Sequence, residues 1–239
     1  MSVRRLFPPL APRPVNYACV DLTPFVLRLH ADAYWEHVGL RPKLFQYYSF
    51  LNATLPGFLT YLETSFRRNP EWILFAIIGR RSQDTTQPEL DGRLAGVIGA
   101  WNASAKDLSA EIAHIVVFPK WQGTGVGARA AVLLTRFCLQ LPDATPLGLG
   151  MRRVQWVVHP DNRASIGLVK KLGMKQEGFF RWCRVLPDGW AGNKPRQGDP
   201  LEYRDGRNTV YLAICWDDWE QGGRESAQAL IEKPLAVVV

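Results

Sequence analysis

Val117-Phe118-Pro119-Lys120-Trp121-Gln122-Gly123-Thr124-Gly125-Val126-Gly127-Ala128 is the stretch on which the reading of this chain turns. An apolar strand, Ile112 to Val117, runs into a proline turn and a glycine-rich loop. A helix of Ala, Leu and Val follows, from about Thr124 to Gln140. Glycines let the backbone turn tightly and approach a ligand closely. The first turn of the helix carries free amide N–H groups and the positive end of the helix dipole. Together these make an anion site suited to a phosphate or pyrophosphate.

A glycine loop by itself fits a plain strand-to-helix connection equally well. Two common phosphate motifs are excluded. A P-loop needs Gly-Lys-Ser/Thr, and here Gly127 is followed by Ala128-Arg129. A dinucleotide fold carries its glycines in the first βα unit, with an acid ending the next strand. This loop lies mid-chain, and the next strand, Arg153 to Val158, leads into His159-Pro160-Asp161-Asn162.

Working outward, 239 residues with 47% apolar and 21% charged composition suit one globular domain. No apolar run approaches the roughly 20 residues of a membrane span. Residues 1–16 form a Pro- and Arg-rich arm without the apolar core of a secretory signal. Cys19, Cys138, Cys183 and Cys215 have no metal-type spacing and read as reduced thiols of a cytoplasmic protein. Cys183 and Cys215 could meet on neighbouring strands. The four histidines form no metal-type pair, so no metal is expected. The net charge of +7 suits a polyanionic partner, but the basic residues are scattered pairs (Arg67-Arg68, Arg80-Arg81, Arg152-Arg153, Lys170-Lys171). That pattern argues against nucleic acid and is met by a phosphate-rich cofactor.

The pattern predicts a first strand over Tyr17–Leu22, with Thr23-Pro24 opening a helix over Phe25–Val38 that stops at Gly39. Helices follow over Leu44–Leu51 and Gly57–Arg68. Strands are expected over Trp72–Ile78, Arg93–Trp101 and Ser109–Val117, with a polar loop over Arg81–Gly92. After the glycine-loop helix come a strand over Arg153–Val158, a helix over Asn162–Leu172, and strands over Met174–Leu186 and Asn208–Trp216. The order is that of one mixed α/β domain over residues 17–219, with residues 220–239 a tail holding a short helix at Glu225–Lys233.

This order, with Gln122-x-x-Gly125-x-Gly127 after the fourth strand, resembles the GNAT acyltransferase superfamily. A second block is similar to its RimJ/RimL-like branch: Trp156 on the fifth strand, the Asn162-x-x-Ser165 turn, and the run Leu172-Gly173-Met174 to Glu177-Gly178 and Arg181. Asp217-Asp218-Trp219 closes the match, which covers roughly residues 109–219. The resemblance implies a GNAT-like, mostly antiparallel twisted sheet whose fourth and fifth strands splay, with helices on both faces. It implies acetyl-CoA as donor, pantetheine against the backbone of Ile115, Val116 and Val117, and diphosphate on the amides of Gln122, Gly123, Thr124, Gly125, Val126, Gly127 and Ala128. The implied reaction is acetyl transfer to a primary amine, on a small molecule or a protein N-terminus.

Such a transfer needs a neutral amine, a positioned thioester, a donor for the oxyanion and a proton for the thiolate. Ser165 is the expected general acid, since many relatives carry Tyr four residues later, where Val169 stands here. Its plainer reading is a residue packing at the helix start, with Asn162 as N-cap. Asn162 is also expected to bond pantetheine. Glu111 is the expected general base, against a solvated edge charge. His114 is the alternative base; strand alternation turns it from Glu111 unless a bulge intervenes, and a core histidine is the plainer reading. Glu177 is expected to pair with Arg181. Arg129, Lys170 and Lys171 are candidates for the adenosine 3′-phosphate, and Trp35, Tyr47, Tyr48, Trp72 and Trp101 for an acceptor wall. A non-catalytic acyl-CoA-binding module is the alternative function, and monomer and homodimer are both open.

Overall fold

The computed structural model describes residues 15–17, 20–50, 52–79 and 92–232. The predicted polar loop therefore falls, but for Gly92, outside the described residues, as do Cys19, most of the N-terminal arm and residues 233–239. The described strands are β1 (Val15–Tyr17), β2 (Val20–Pro24), β3 (Ile73–Gly79), β4 (Arg93–Ser104), β5 (Ser109–Val117), β6 (Arg153–Val158), β7 (Lys175–Val185) and β8 (Gly206–Cys215). They form one sheet in the order β1-β2-β3-β4-β5-β6-β8-β7. All neighbours are antiparallel except β5 and β6. This is the mixed α/β architecture that the sequence implied.

The helices are α1 (Leu27–Val38), α2 (Leu55–Tyr61), α3 (Val126–Leu139), α4 (Arg163–Lys171), α5 (Trp216–Asp218) and α6 (Arg224–Glu232). They cover both faces. α4 meets the face that carries Trp156, whose indole N–H donates to Ser165 Oγ. α2 meets the other face, where Tyr61 stacks on His114. α1 joins α2 through Tyr34, which stacks on Phe58 at 4.6 Å between centroids. α3 is buried along most of its length because Ala130, Ala131, Leu133, Leu134 and Cys138 leave no polar stripe against the sheet. α6, expected in a tail outside the domain, packs on α3 and buries Ala227 and Ile231. Among the described residues no helix is long and apolar enough to cross a membrane.

The N-terminal third departs from expectation in three places. The strand expected over Tyr17–Leu22 is a hairpin, with Tyr17 opposite Val20, and Thr23 and Pro24 close β2 rather than open a helix. α1 starts at Leu27 instead, with the Val26 N–H donating to His30 Nδ1 at 2.9 Å in place of a Ser or Thr cap. The expected helix over Leu44–Leu51 is only a 3₁₀ turn at Pro42–Phe45. Its aromatics do tertiary work: Tyr48 Oη donates to the Ile115 carbonyl at 2.6 Å, and Phe50 stacks on Tyr61 and His114. Finally, the helix expected over Gly57–Arg68 is present but starts two residues earlier, at Leu55, because Thr54 accepts from the Gly57 N–H and Pro56 suits the first turn; a π-helical stretch over Leu62–Arg67 continues it.

Candidate active site

β5 and β6 pair only from Ser109–Arg153 to Ile112–Trp156, and then separate. The cause lies on the other edge of β5. Its register with β4 shifts between the pairs Ala113–Gly99 and Val116–Val97, so two residues face one. The extra residue sits in a bulge where His114 takes φ 50°. Beyond it β5 bends away from β6, and a cleft of about 780 Å³ opens between them.

One end of the cleft is the glycine loop. Gly123 has φ 76°, and a Cβ there would meet nothing within 4 Å, so it presents bare backbone to the open space. Gly125 caps α3 at φ 90°. The first intrahelical bond is from Arg129 N–H to the Gly125 carbonyl. The amides of Gly127 and Ala128 therefore lie in the first turn without an intrahelical partner. Thr124 Oγ1 accepts from Val126 N–H at 3.3 Å and donates to the Trp121 carbonyl. The Thr124, Val126 and Val116 side chains are buried beneath the cleft floor. Gln122, Gly123, Gly125, Gly127 and Ala128 line it.

In the splay itself, Ile115 and Val117 line the cleft. Their carbonyls, which β6 no longer reaches, take side-chain partners: Tyr48 Oη for Ile115, and Gln122 Nε2 at 3.0 Å for Val117. An extended chain carrying amides fits such a gap, since it offers bonds to freed strand groups. The opposite wall is the start of α4. Asn162 Oδ1 accepts from the Ser165 N–H at 3.1 Å, so the predicted N-cap is present. Trp156 Nε1 donates to Ser165 Oγ at 2.9 Å, which occupies one lone pair and leaves the hydroxyl proton free to point elsewhere. Val169 is fully buried, and the cleft-lining residue on that turn is Leu168.

Glu111 lines the cleft on the opposite face of the sheet from Trp156, as strand alternation requires for its register partner Gln155. Its Oε2 accepts from Asn102 Nδ2 at 3.2 Å and Gln155 Nε2 at 3.3 Å. Burial raises its pKa above the usual carboxylate range, partly opposed by those two hydrogen bonds and by Arg184 and Arg207. The bulge brings His114 to this same side. Its ring lies among Phe50, Tyr61, Phe66, Tyr48 and Trp101, with centroids 5.4 to 6.0 Å away. Burial lowers its pKa to about 3, so it is neutral at ordinary pH. Nδ1 lies 3.4 Å from Tyr61 Oη, and Nε2 is buried without a partner.

Several expected roles move. Arg129 is buried and donates to the Ile231 carbonyl, tying α3 to α6, so it is not available to a 3′-phosphate. Lys170 and Lys171 are exposed. Glu177 pairs with Arg153 through two bonds of 2.9 and 2.6 Å, not with Arg181, because β8 holds β6 and β7 on its two edges while Arg181 lies four residues along the extended strand. Tyr47, Tyr48 and Trp101 line the cleft; Trp72 stacks on Trp101 at 4.2 Å behind it, and Trp35 packs on Phe58. Sequence reading missed Arg184, Arg207 and Thr209, which also line the cleft.

The sequence profile described as an acetyltransferase (GNAT) domain matches residues 13–175. No curated protein matches the chain. Among solved structures, a GCN5-related N-acetyltransferase from Brucella melitensis superposes with a TM-score of 0.70 at 19% identity, covering 94% of this chain and 87% of that one. RimJ of Mycobacterium smegmatis in complex with CoA-disulfide superposes with a TM-score of 0.64 at 18% identity, covering 91% of each chain.

Proposed function

The chain belongs to the GNAT acetyltransferase family, and we propose that it moves an acetyl group from acetyl-CoA to a primary amine by direct attack on the thioester. The observation that carries this reading is the coincidence of the splayed β5–β6 gap with the glycine loop and the α4 N-terminus around one cleft. A CoA-disulfide complex of a similar fold supports the choice of donor. The RimJ/RimL-like branch is part of the same proposal and rests on Trp156, Asn162 and Ser165.

Acetyl-CoA supplies an activated acyl carbon and a thiol leaving group. The amides of Gly123, Gly125, Gly127 and Ala128 would hold the diphosphate; those of Gln122, Thr124 and Val126, expected to join them, already donate to the Pro119 carbonyl, the Trp121 carbonyl and Thr124 Oγ1. The backbone of Ile115, Val116 and Val117 would align the pantetheine, and Asn162 Nδ2 would donate from the other wall. A β5 N–H near Val116 or Val117 stabilises the carbonyl oxygen as charge builds there. Glu111, ionised, takes a proton from the attacking amine; its raised pKa makes it a stronger base than a solvated carboxylate. Ser165 gives its hydroxyl proton to the departing sulfur and regains one from water in the open cleft, where Glu111 releases the amine's proton. His114 stays neutral within its aromatic shell, so Glu111 and not the imidazole is the base.

Thiol release from acetyl-CoA over an amine panel, followed by mass spectrometry of the product, tests the reading. A mass increase of one acetyl group on an amine nitrogen is expected. Tight acetyl-CoA binding with no amine turned over would favour a non-catalytic acyl-CoA-binding module.

A further inference from the structure

The acceptor end of the cleft holds a cluster that acetyl transfer itself does not need. Arg207 lies on β8 and is only 7% exposed, yet its buried Nε has no hydrogen-bond partner. Among the described residues its guanidinium makes no ion pair with any carboxylate. Two residues along the same strand, Thr209 is 1% exposed and its Oγ1 is also unpartnered. Both line the cleft. β8 is regular against β6, so Arg207, Thr209 and Tyr211 share one face, and the pairs Tyr211–Val157 and Ala213–Gln155 make it the Glu111 face. That is the side from which the amine approaches, opposite Ser165.

Arg184 stands directly across from Arg207 on β7. Like charges opposed across a strand pair repel, and a buried cation without a partner is costly. The β7 strand reaches this register only through a bulge between Phe180 and Arg184, where Trp182 takes φ 54° and its N–H is held by Asn208. Of the described residues lining the cleft, Lys43, Arg184 and Arg207 are cations and Glu111 is the one carboxylate. A polycation would be repelled from this end, whereas an oxyanion would satisfy Arg207 Nε, the Arg184 fork and the Thr209 hydroxyl together.

We propose that Arg207, Arg184 and Thr209 form an oxyanion-recognition site, so that the amine acetylated here is a small molecule carrying a carboxylate or phosphate close to its amino group. This rests on the acetyl-transfer reading above and names its acceptor class. Arg207 and Arg184 are specificity-determining residues, since they touch the acceptor at its oxyanion and not at the reacting atoms.

The test uses the full chain, calorimetric titration with acetyl-CoA, and initial rates on matched amines: glycine against glycinamide, O-phosphoethanolamine against ethanolamine, and spermidine as the cationic control. Charge-assisted bonds predict a preference of roughly 10- to 100-fold in kcat/KM for the oxyanion-bearing member of at least one pair. Arg207→Met should collapse that preference through KM, and Arg207→Lys should restore part of it. The pair that shows the preference tells carboxylate from phosphate. If acetyl-CoA binds but neutral amines or spermidine are used equally well or better, or if Arg207→Met keeps the preference, the oxyanion site is overturned and the transferase reading stands. If acetyl-CoA does not bind, the transferase reading fails and this inference fails with it.

Discussion

Ser165→Ala separates a proton donor from a packing residue, because the two roles rest on different atoms. The helix cap uses the Ser165 backbone N–H, which donates to Asn162 Oδ1, and survives the substitution. The hydroxyl is bound by Trp156 Nε1, and Trp156 is 5% exposed, so removing Oγ strands a buried indole donor. That costs about 1–3 kcal/mol, and in a chain of this length each kcal/mol lowers Tm by about 2–4 °C. The protein stays folded. Loss of the acid is read in kcat. A thiol leaves tolerably well without help because its pKa is about 8.5, so the loss falls at the low end of general-acid catalysis, about 10²-fold. Thermal melting, calorimetric titration with acetyl-CoA and rates at saturating acetyl-CoA measure the three quantities independently. Trp156→Phe is the control: it frees the Ser165 oxygen without deleting it, and should cost stability with little change in kcat. A Ser165→Ala protein that melts earlier but keeps kcat within about twofold of the parent would refute the acid assignment and leave Ser165 as a partner for Trp156.

The other predictions test separate parts of the cleft. Gly127→Val places a branched side chain where a single Cβ already meets Val117 Cγ2 at 3.0 Å, at a φ that any residue adopts; acetyl-CoA affinity should fall by about 10-fold or more while a circular dichroism spectrum is unchanged. Glu111→Gln should lower kcat/KM by about 10²–10⁴-fold. In the parent, activity should fall as pH drops through the raised Glu111 pKa, because the protonated acid cannot accept the amine's proton; the Glu111→Gln protein should lack that limb of the pH–rate profile. His114 affects stability rather than rate: its pKa of about 3 in the fold against an ordinary 6.5 means that the unfolded chain binds a proton in this window and the fold does not. Stability is therefore intact above 6.5 and falls by up to about 1.4 kcal/mol for each pH unit below it. His114→Phe should flatten the acid side of a plot of urea midpoint against pH.

How much the sequence reveals depends on how local each feature is. β5, the glycine loop, α3, β6 and α4 follow one another directly, and each is written in short-range terms: alternation in Ser109–Val117, glycines at the turn, Asn162 before a helix. The pattern places those elements within a residue or two. Residues 44–50 mislead because their aromatics recur at a helix-like spacing, yet Tyr48 and Phe50 find partners on β5. Tyr48 reaches Ile115, 67 residues away, and Tyr61 reaches His114, 53 residues away. No local pattern carries that information. Arg184 and Arg207 are invisible for a similar reason: a long Pro/Gly loop separates them, and only the bulged β7–β8 register sets them side by side. Arg181 suggests itself as the partner of Glu177 because it is near in sequence, whereas the sheet offers Arg153. One signal was within reach. Alternation brings His114 to the side of Glu111 only if a bulge intervenes, and the sheet contains that bulge.

That bulge links the aromatics of residues 48–66 to β5. A non-glycine residue at φ 50° carries a strain on the order of 1 kcal/mol, and here it falls two residues past the last β5–β6 pair, Ile112–Trp156. Straighten it and β5 would pair with β6 to its end, the Ile115 and Val117 carbonyls would be consumed by the sheet, and the cleft would close. What holds it open is the aromatic shell: Phe50, Tyr61, Phe66 and Trp101 pack around the displaced imidazole, and Tyr48 caps the Ile115 carbonyl. The weakly patterned N-terminal residues are thus the wedge that keeps the strongly patterned cofactor strand bent. The wedge also divides the chemistry. Glu111 lies on its side of the sheet and Ser165 on the other, so under the proposed roles the proton taken from the amine and the proton given to the thiol would be handled on opposite faces.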